Sequence, residues 1–452
     1  MLRKALPAGL LLPALLAPGV AAAGPTPSAT ERTCHGLVAT IVGTPGDDRI
    51  TGTRGPDVVV GLGGDDRIDG RGGDDVVCGN GGADDLLGGR GADQLYGGRD
   101  LHENHGRSTR VFGDLLEGGP GDDRLDVGFQ PLPTGRIAVW RRNTVTFRGS
   151  ARPVSVDLAA GTAVGEGDDT VVAVRRLEVA GSRFDDAITG SRRPETLDGG
   201  RGDDSVAGGG GRDAVLGYQG DDVLVGGPGD DLVISTRGVS TVEGGDGADY
   251  LIAASPAPTT VLGGAGFDYI ERRITAGETG VIDGGDDDNY LELETSSLWR
   301  DRDPGFEVDA AAGTFTATAY EDVQSTGFTG IGGFILWGPG RWTFLGSDAD
   351  DAVQVLDGRL DAQGFGGDDF LLGAERADVL DGGEGTDAAW GGKGSNTCLD
   401  AETGDCDGYP WDAPGNARSL GRAGLPDGWH RDLDPEALVR RWLGQSSRTW
   451  RR

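Results

Sequence analysis

Along residues 43–96 the apolar positions return every nine residues, a period that fits neither a helix at 3.6 nor a half-buried strand at 2. Set out in nines from Gly43, the chain reads GTPGDDRIT, GTRGPDVVV, GLGGDDRID, GRGGDDVVC, GNGGADDLL and GGRGADQLY. The eighth position is always aliphatic: Ile50, Val59, Ile68, Val77, Leu86, Leu95. A second run keeps the register from Gly181 to Ile252, with Ile188, Leu197, Val206, Val215, Leu224, Val233, Val242 and Leu251 at position eight. A third spans Gly346 to Leu399, interrupted by "VLDGRLDAQ", where Leu360 takes the sixth position. Shorter pieces lie at 109–126, 263–271 and 284–292. Each unit predicts six residues of Gly-rich loop and three of strand, half a turn of a parallel β-coil, so residues 18 apart stack. The expected fold is all-β, a parallel β-roll in several runs around a narrow aliphatic core.

The sixth position has a regularity of its own. It holds Asp48, Asp57, Asp66, Asp75, Asp84 and Asp93 in the first run. In the second it holds Asp186, Glu195, Asp204, Asp213, Asp222, Asp231, Ser240 and Asp249. The third has Asp351, Asp369, Asp378, Asp387 and Asn396, and the short pieces Asp114, Asp123, Asp268 and Asn289. Stacking gathers these into two columns, one down each edge of the coil, with strands about 4.8 Å apart. A column of like charges is self-repelling. A hard divalent cation between turns removes the repulsion, and Ca²⁺ takes six to eight oxygens from carboxylates and carbonyls. The glycines make corners where a positive φ or a close backbone approach excludes a Cβ, and turn carbonyls inward.

The expected ion-sharing pairs are Asp48 with Asp66, Asp57 with Asp75, Asp66 with Asp84 and Asp75 with Asp93. The second run adds Asp186 with Asp204, Asp204 with Asp222, Asp213 with Asp231 and Asp231 with Asp249; the third adds Asp351 with Asp369 and Asp369 with Asp387. Glu195 with Asp213 is weaker, Asp378 with Asn396 marginal, and Asp222 facing Ser240 is expected to be lost. At roughly 1 mM calcium and a Kd of ~10⁻⁴ M each site adds about 1.4 kcal/mol. Ten such sites would exceed the stability of a typical domain, so the chain is expected to be largely unfolded without calcium.

The unit GGxGxDxUx resembles the hemolysin-type (RTX) calcium-binding nonapeptide. The resemblance implies a right-handed parallel β-roll with Ca²⁺ bridging the loops of neighbouring turns. "VSVDLAAGTAVGEGDDTVVAVRRLEVAGSRFDDAITGS" (154–191) is similar to the longer-stranded segment that often precedes such runs in secreted members, and "FEVDAAAGTFTATAYEDVQSTGFTGIGGF" (306–334) looks like a worn copy of it. The first repeats, from Cys34 onward, resemble those of secreted actinobacterial proteins. Toxins of the family leave by a C-terminal signal, whereas this chain has an N-terminal one, so toxin activity is not carried over with the repeat.

Composition narrows the function classes. The 452 residues include 85 glycines, and 74 acidic residues against 41 Lys plus Arg leave a net charge of −33. Nucleic acid is excluded as a partner, since phosphate binding needs a basic face. Leu2-Arg3-Lys4, the apolar run "ALPAGLLLPALLAPGV" and Ala21-Ala22-Ala23 read as a secretory signal peptide. The apolar run is short and broken by prolines, and no transmembrane segment is expected. Four cysteines suit an oxidising compartment; three pairings are open, of which Cys34 with Cys78 and Cys398 with Cys406 would staple the two ends of the roll.

No catalytic motif emerges. "HENH" (102–105) is one residue short of a zinc helix motif and falls in an insertion, so a polar surface loop is expected there. Trp299, Trp337 and Trp342 are expected to plug a wider core; as an alternative they would stack on a cell-surface or extracellular glycan, making the chain an adhesin or carbohydrate-active enzyme. "LDPEALVRRWL" (433–443) predicts a short helix with Asp434 as N-cap and Pro435 at N1. The expected organisation is a signal peptide at 1–23, a linker or cap at 24–42, a first roll at 43–126 with an insertion at 97–108, and a longer-stranded segment at 127–180. A second roll at 181–292, a degenerate longer-stranded segment at 293–345, a third roll closed by a disulfide at 346–406, and a helical tail at 407–452 complete it.

Overall fold

The computed structural model describes residues 32–408 apart from 101, 106–107, 112, 130–136, 141, 173, 175, 256, 275–279, 288, 296–303 and 319–322. The expected signal peptide, Trp299 and the helix expected at 433–443 lie outside the described residues. Within them the chain is all-β, a parallel β-solenoid of about 18 turns with no α-helix. Each nonapeptide places its last residues in a short strand such as Arg49–Thr51, Arg67–Asp69 or Ser205–Ala207, and the loop before it turns the corner.

Two ladders result. In one, the eighth-position side chains stand in a single register column from Ile50 through Ile68, Leu86, Leu116, Val145, Val179 and Leu197. It continues through Val215, Val233, Leu251, Ile270, Leu291, Phe334, Val353 and Leu371 to Ala389. Every one of these is buried. The runs that the sequence separates are therefore one solenoid, because the intervening segments each contribute a strand to this ladder.

The opposite ladder absorbs the extra length. Between Arg124–Asp126 and Ala187–Thr189 it inserts a three-stranded meander: Asp168–Val172 pairs in parallel with the turn below, Thr162–Val164 runs antiparallel, and Ser155–Asp157 pairs in parallel with the turn above. Val323–Thr329, Thr314–Thr318 and Gly305–Asp309 repeat this arrangement between Val281–Asp283 and the long strand Ile331–Leu345. Both meanders turn in the same way. Asp157 accepts the Ala160 N–H at 2.8 Å and Asp309 the Ala312 N–H at 2.8 Å, ahead of left-handed Gly161 and Gly313. The likeness of 154–191 to 306–334 is thus one of topology.

The second meander widens the core, and aromatic side chains fill it. Trp342 is fully buried against Phe306, ring centroids 4.4 Å apart, and Phe315; its indole N–H donates to the Gly338 carbonyl at 3.1 Å. Trp342 therefore plugs the core, whereas Trp337 is half-buried. At the ends Cys34–Cys78 and Cys398–Cys406 are the disulfides, each with 5.8 Å between Cα atoms. Cys34 packs on Val60, Val76 and Tyr96 outside the first turns, as a cap should. "HENH" departs from expectation: His102–His105 is a strand, antiparallel to Ser108–Val111, because the insertion forms its own hairpin.

Candidate metal centre

The sixth-position carboxylates stack as the period requires, and the stack is hydrogen-bonded. The backbone N–H of Asp48 donates to Oδ1 of Asp66, that of Asp57 to Asp75, Asp66 to Asp84, and Asp75 to Asp93, at 2.8–2.9 Å. The same bond joins Asp186 to Asp204, Asp204 to Asp222, Asp213 to Asp231, Asp231 to Asp249, Asp351 to Asp369 and Asp369 to Asp387. Glu195 donates in the same way to Asp213, and Leu360 to Asp378. The expected pairs are therefore adjacent, but one carboxylate oxygen of each is already committed to the neighbouring turn.

The columns also bridge segments where no nonapeptide is legible. Asp84 donates to Asp114 and Asp93 to Asp123 across 30 residues. Asp114 then donates to Asn143 and Asp123 to Asp169, across 29 and 46 residues. Near the end Asp387 donates to Glu402 at 2.7 Å. Asn143, Asp169 and Glu402 hold sixth positions that sequence phase could not reveal, since the spacing around them is irregular.

The second oxygen sorts the loops into three kinds. In the first kind, Oδ2 is buried and meets no hydrogen-bond donor: Asp66, Asp75, Asp84, Asp93, Asp123, Asp204, Asp213, Asp222, Asp231, Asp249, Asp268, Asp369 and Asp387. Except in the Asp222 loop, the residue at position two there takes a left-handed φ, as do Leu62 at 84°, Arg71 at 73° and Gly227 at 103°. In ten of these loops a main-chain carbonyl faces the same spot. A Cβ on Gly226 would lie 2.6 Å from the Gly244 carbonyl oxygen and 2.8 Å from Oδ2 of Asp231; one on Gly208 would lie 2.5 Å from the Gly226 oxygen and 2.9 Å from Oδ2 of Asp213. Glycine at position one thus keeps open a cradle edged by two oxygens from successive turns.

In the second kind, the position-two N–H closes onto the carboxylate of its own loop. Thr53 donates to Asp57 at 2.7 Å, Ser191 to Glu195 at 2.9 Å, Ser347 to Asp351 at 2.6 Å and Ala374 to Asp378 at 3.0 Å; Thr44 and Ser182 do the same for Asp48 and Asp186. In the third kind asparagine replaces aspartate. The Asn289 amide donates to the Gly330 carbonyl at 3.0 Å, and that of Asn396 to the Cys406 carbonyl at 2.7 Å. An N–H here occupies the place between sixth-position side chain and facing carbonyl. In most aspartate loops of the first kind two oxygens face one another instead.

Electrostatics register the same conflict. Burial pushes the carboxyls of Asp84, Asp213 and Asp249 up to about 8, with neighbouring carboxylates adding to the rise. Burial likewise carries Asp123, Asp204 and Asp268 to about 7, and Asp66, Asp93 and Asp231 to about 6, against the lowering effect of the ladder N–H. An orphaned carboxylate oxygen beside main-chain carbonyls is an all-oxygen donor set, which fits Ca²⁺. Among the described residues no three His, Cys, Asp or Glu side chains form a ready ligand group; the oxygens that face the carboxylates at the position-one glycines are main-chain carbonyls. Sequence phase also passed over the fifth position. Asp65, Asp74, Asp203, Asp221 and Asp350 each accept an N–H from the following turn at 2.7–2.9 Å, a second ladder running opposite to the first. The recurring Asp-Asp doublet was its signal.

The RTX calcium-binding nonapeptide repeat, as a family model of four copies, matches residues 42–77, 79–100, 112–130, 189–224, 225–255 and 363–398. The chain carries these repeats in several copies along its length. No curated protein matches it.

Proposed function

We propose that this chain of RTX calcium-binding nonapeptide repeats is a secreted, non-enzymatic calcium-binding protein whose folding waits for the ion. The calcium-binding character rests on the repeats themselves. The observation that supports coupling to folding is the column of buried carboxylate oxygens facing main-chain carbonyls with no donor between them. A buried, unpaired carboxylate is costly, and a solenoid stacks that cost turn upon turn. A cation bound only by the folded state converts the cost into stabilisation by mass action. The signal peptide supports release to a medium where millimolar calcium is available.

The test is circular dichroism of the mature chain during a calcium titration, with magnesium as control. A cooperative gain of strand signal with calcium and not with magnesium is expected. A chelated chain that keeps its full strand signal and a cooperative melt would overturn the coupling.

A further inference from the structure

The three kinds of loop are not spread evenly, and their order carries a consequence. A sixth self-closed loop, at Asp378, lies inside the third run after the Leu360 unit, with Ala374 at position two. The other five head the runs: the first opens with two, at Asp57 and the repeat before it; the second opens with two, at Asp186 and Glu195; the third opens with one, at Asp351. In each of these five loops position two is Ser or Thr. Its hydroxyl accepts the N–H two residues on, as from Gly55 to Thr53 at 3.1 Å and Ala349 to Ser347 at 3.1 Å. This local turn leaves the position-two N–H aimed at the carboxylate. Where position two is left-handed, the N–H is not donated to the carboxylate, and Oδ2 is left facing the cradle.

We propose that calcium enters only the open loops, and that the Gly-Ser and Gly-Thr loops heading each run are metal-free turns closed by their own backbone. This rests on the calcium reading above. A carboxylate oxygen that accepts a backbone N–H inside its own loop presents a proton where a cation would sit. The asparagine loops support the same division, since there the side-chain amide donates to the carbonyl that would otherwise be a ligand. The closed turns give each run a start whose hydrogen bonds are complete without an ion, on which the calcium-dependent turns stack. Outside the Asp222 loop, the backbone at position two therefore decides which loops bind, although it supplies no ligand side chain.

Calcium counting by native mass spectrometry on the full mature chain tests this. Asp231→Asn, in an open loop, is expected to lose one ion relative to wild type. Asp57→Asn and Asp186→Asn, in closed loops, are expected to keep the wild-type count. Loss of an ion in either closed-loop variant overturns the inference, whereas a wild-type chain that takes up no calcium overturns the functional reading beneath it. Should a variant fail to fold, anomalous scattering from crystals of the calcium-loaded wild type decides directly. Ions beside Asp231 and Asp249 with none beside Asp57, Asp186 and Asp351 support the division; an ion in a closed loop refutes it.

Discussion

At the residue scale, a sixth-position aspartate does two jobs with its two oxygens. Oδ1 ties one turn to the next through a backbone N–H, which asparagine does equally well, as Asn396 does for Asp378 at 2.9 Å. Oδ2 is the part that asparagine cannot reproduce, because an amide nitrogen donates where a carboxylate accepts. Asp231→Asn should therefore act with opposite signs in the two states. In about 1 mM calcium it should destabilise by about 1.4 kcal/mol through one lost site. In chelator it should stabilise, on the order of 1 kcal/mol, by removing a buried unpaired oxygen. Urea unfolding in calcium reads the first effect, and folding of the chelated chains by a stabilising osmolyte reads the second. Glycine at position one is equally constrained: Gly226→Ala would put a methyl group where the Gly244 carbonyl and Asp231 oxygens converge, and calcium titration should show the same single lost site.

At the scale of the element, a three-residue strand is too short to persist alone and is held by its neighbours above and below. The eighth-position column does most of this, so Leu251→Ala, at a fully buried link, should cost about 2–5 kcal/mol. The meanders are a different solution to the same problem. Each fills one ladder with three strands of ordinary hairpin geometry, and the second needs aromatic rings to fill the space between the ladders. Trp342→Ala should cost about 3–5 kcal/mol in calcium-loaded protein. Trp337→Ala, at a half-buried side chain, should cost much less. Thermal unfolding of the two variants side by side measures the contrast. The Cys34–Cys78 bond fixes the cap to the first turns, and its removal is expected to cost about 2–4 kcal/mol.

For the whole molecule, the acidic columns set the response to pH. Burial holds the metal-free carboxyls of Asp84, Asp213 and Asp249 near 8, well above the value near 3.9 in an unfolded chain. Between those values the folded state binds more protons than the unfolded one, so stability falls as pH rises. In chelator the chain should gain strand signal on acidification from pH 8 to about 5. With calcium the sign reverses, since ligand carboxylates must be ionised to bind, and calcium affinity should weaken over the same interval. Circular dichroism across pH in the two conditions distinguishes them. A chelated chain that stays equally unfolded at both ends would show that carboxylate ionisation is not what opposes folding.

The nine-residue period determined the β-roll, its aliphatic core and the aspartate columns, because each depends only on what recurs at a fixed phase. Local chemistry also made the two disulfide staples and the core-filling role of Trp342 legible. The tertiary structure alone decided what breaks the period. Asn143 and Asp169 enter the columns from 29 and 46 residues away, and two meanders merge separate runs into one solenoid. It also decided which carboxylate oxygens are left without a donor, since that turns on the φ of a neighbouring residue and on a carbonyl one turn away. A repeat fixes which residues stack; whether an oxygen in the stack meets a proton or a cation is settled by backbone geometry between turns, which no single repeat contains.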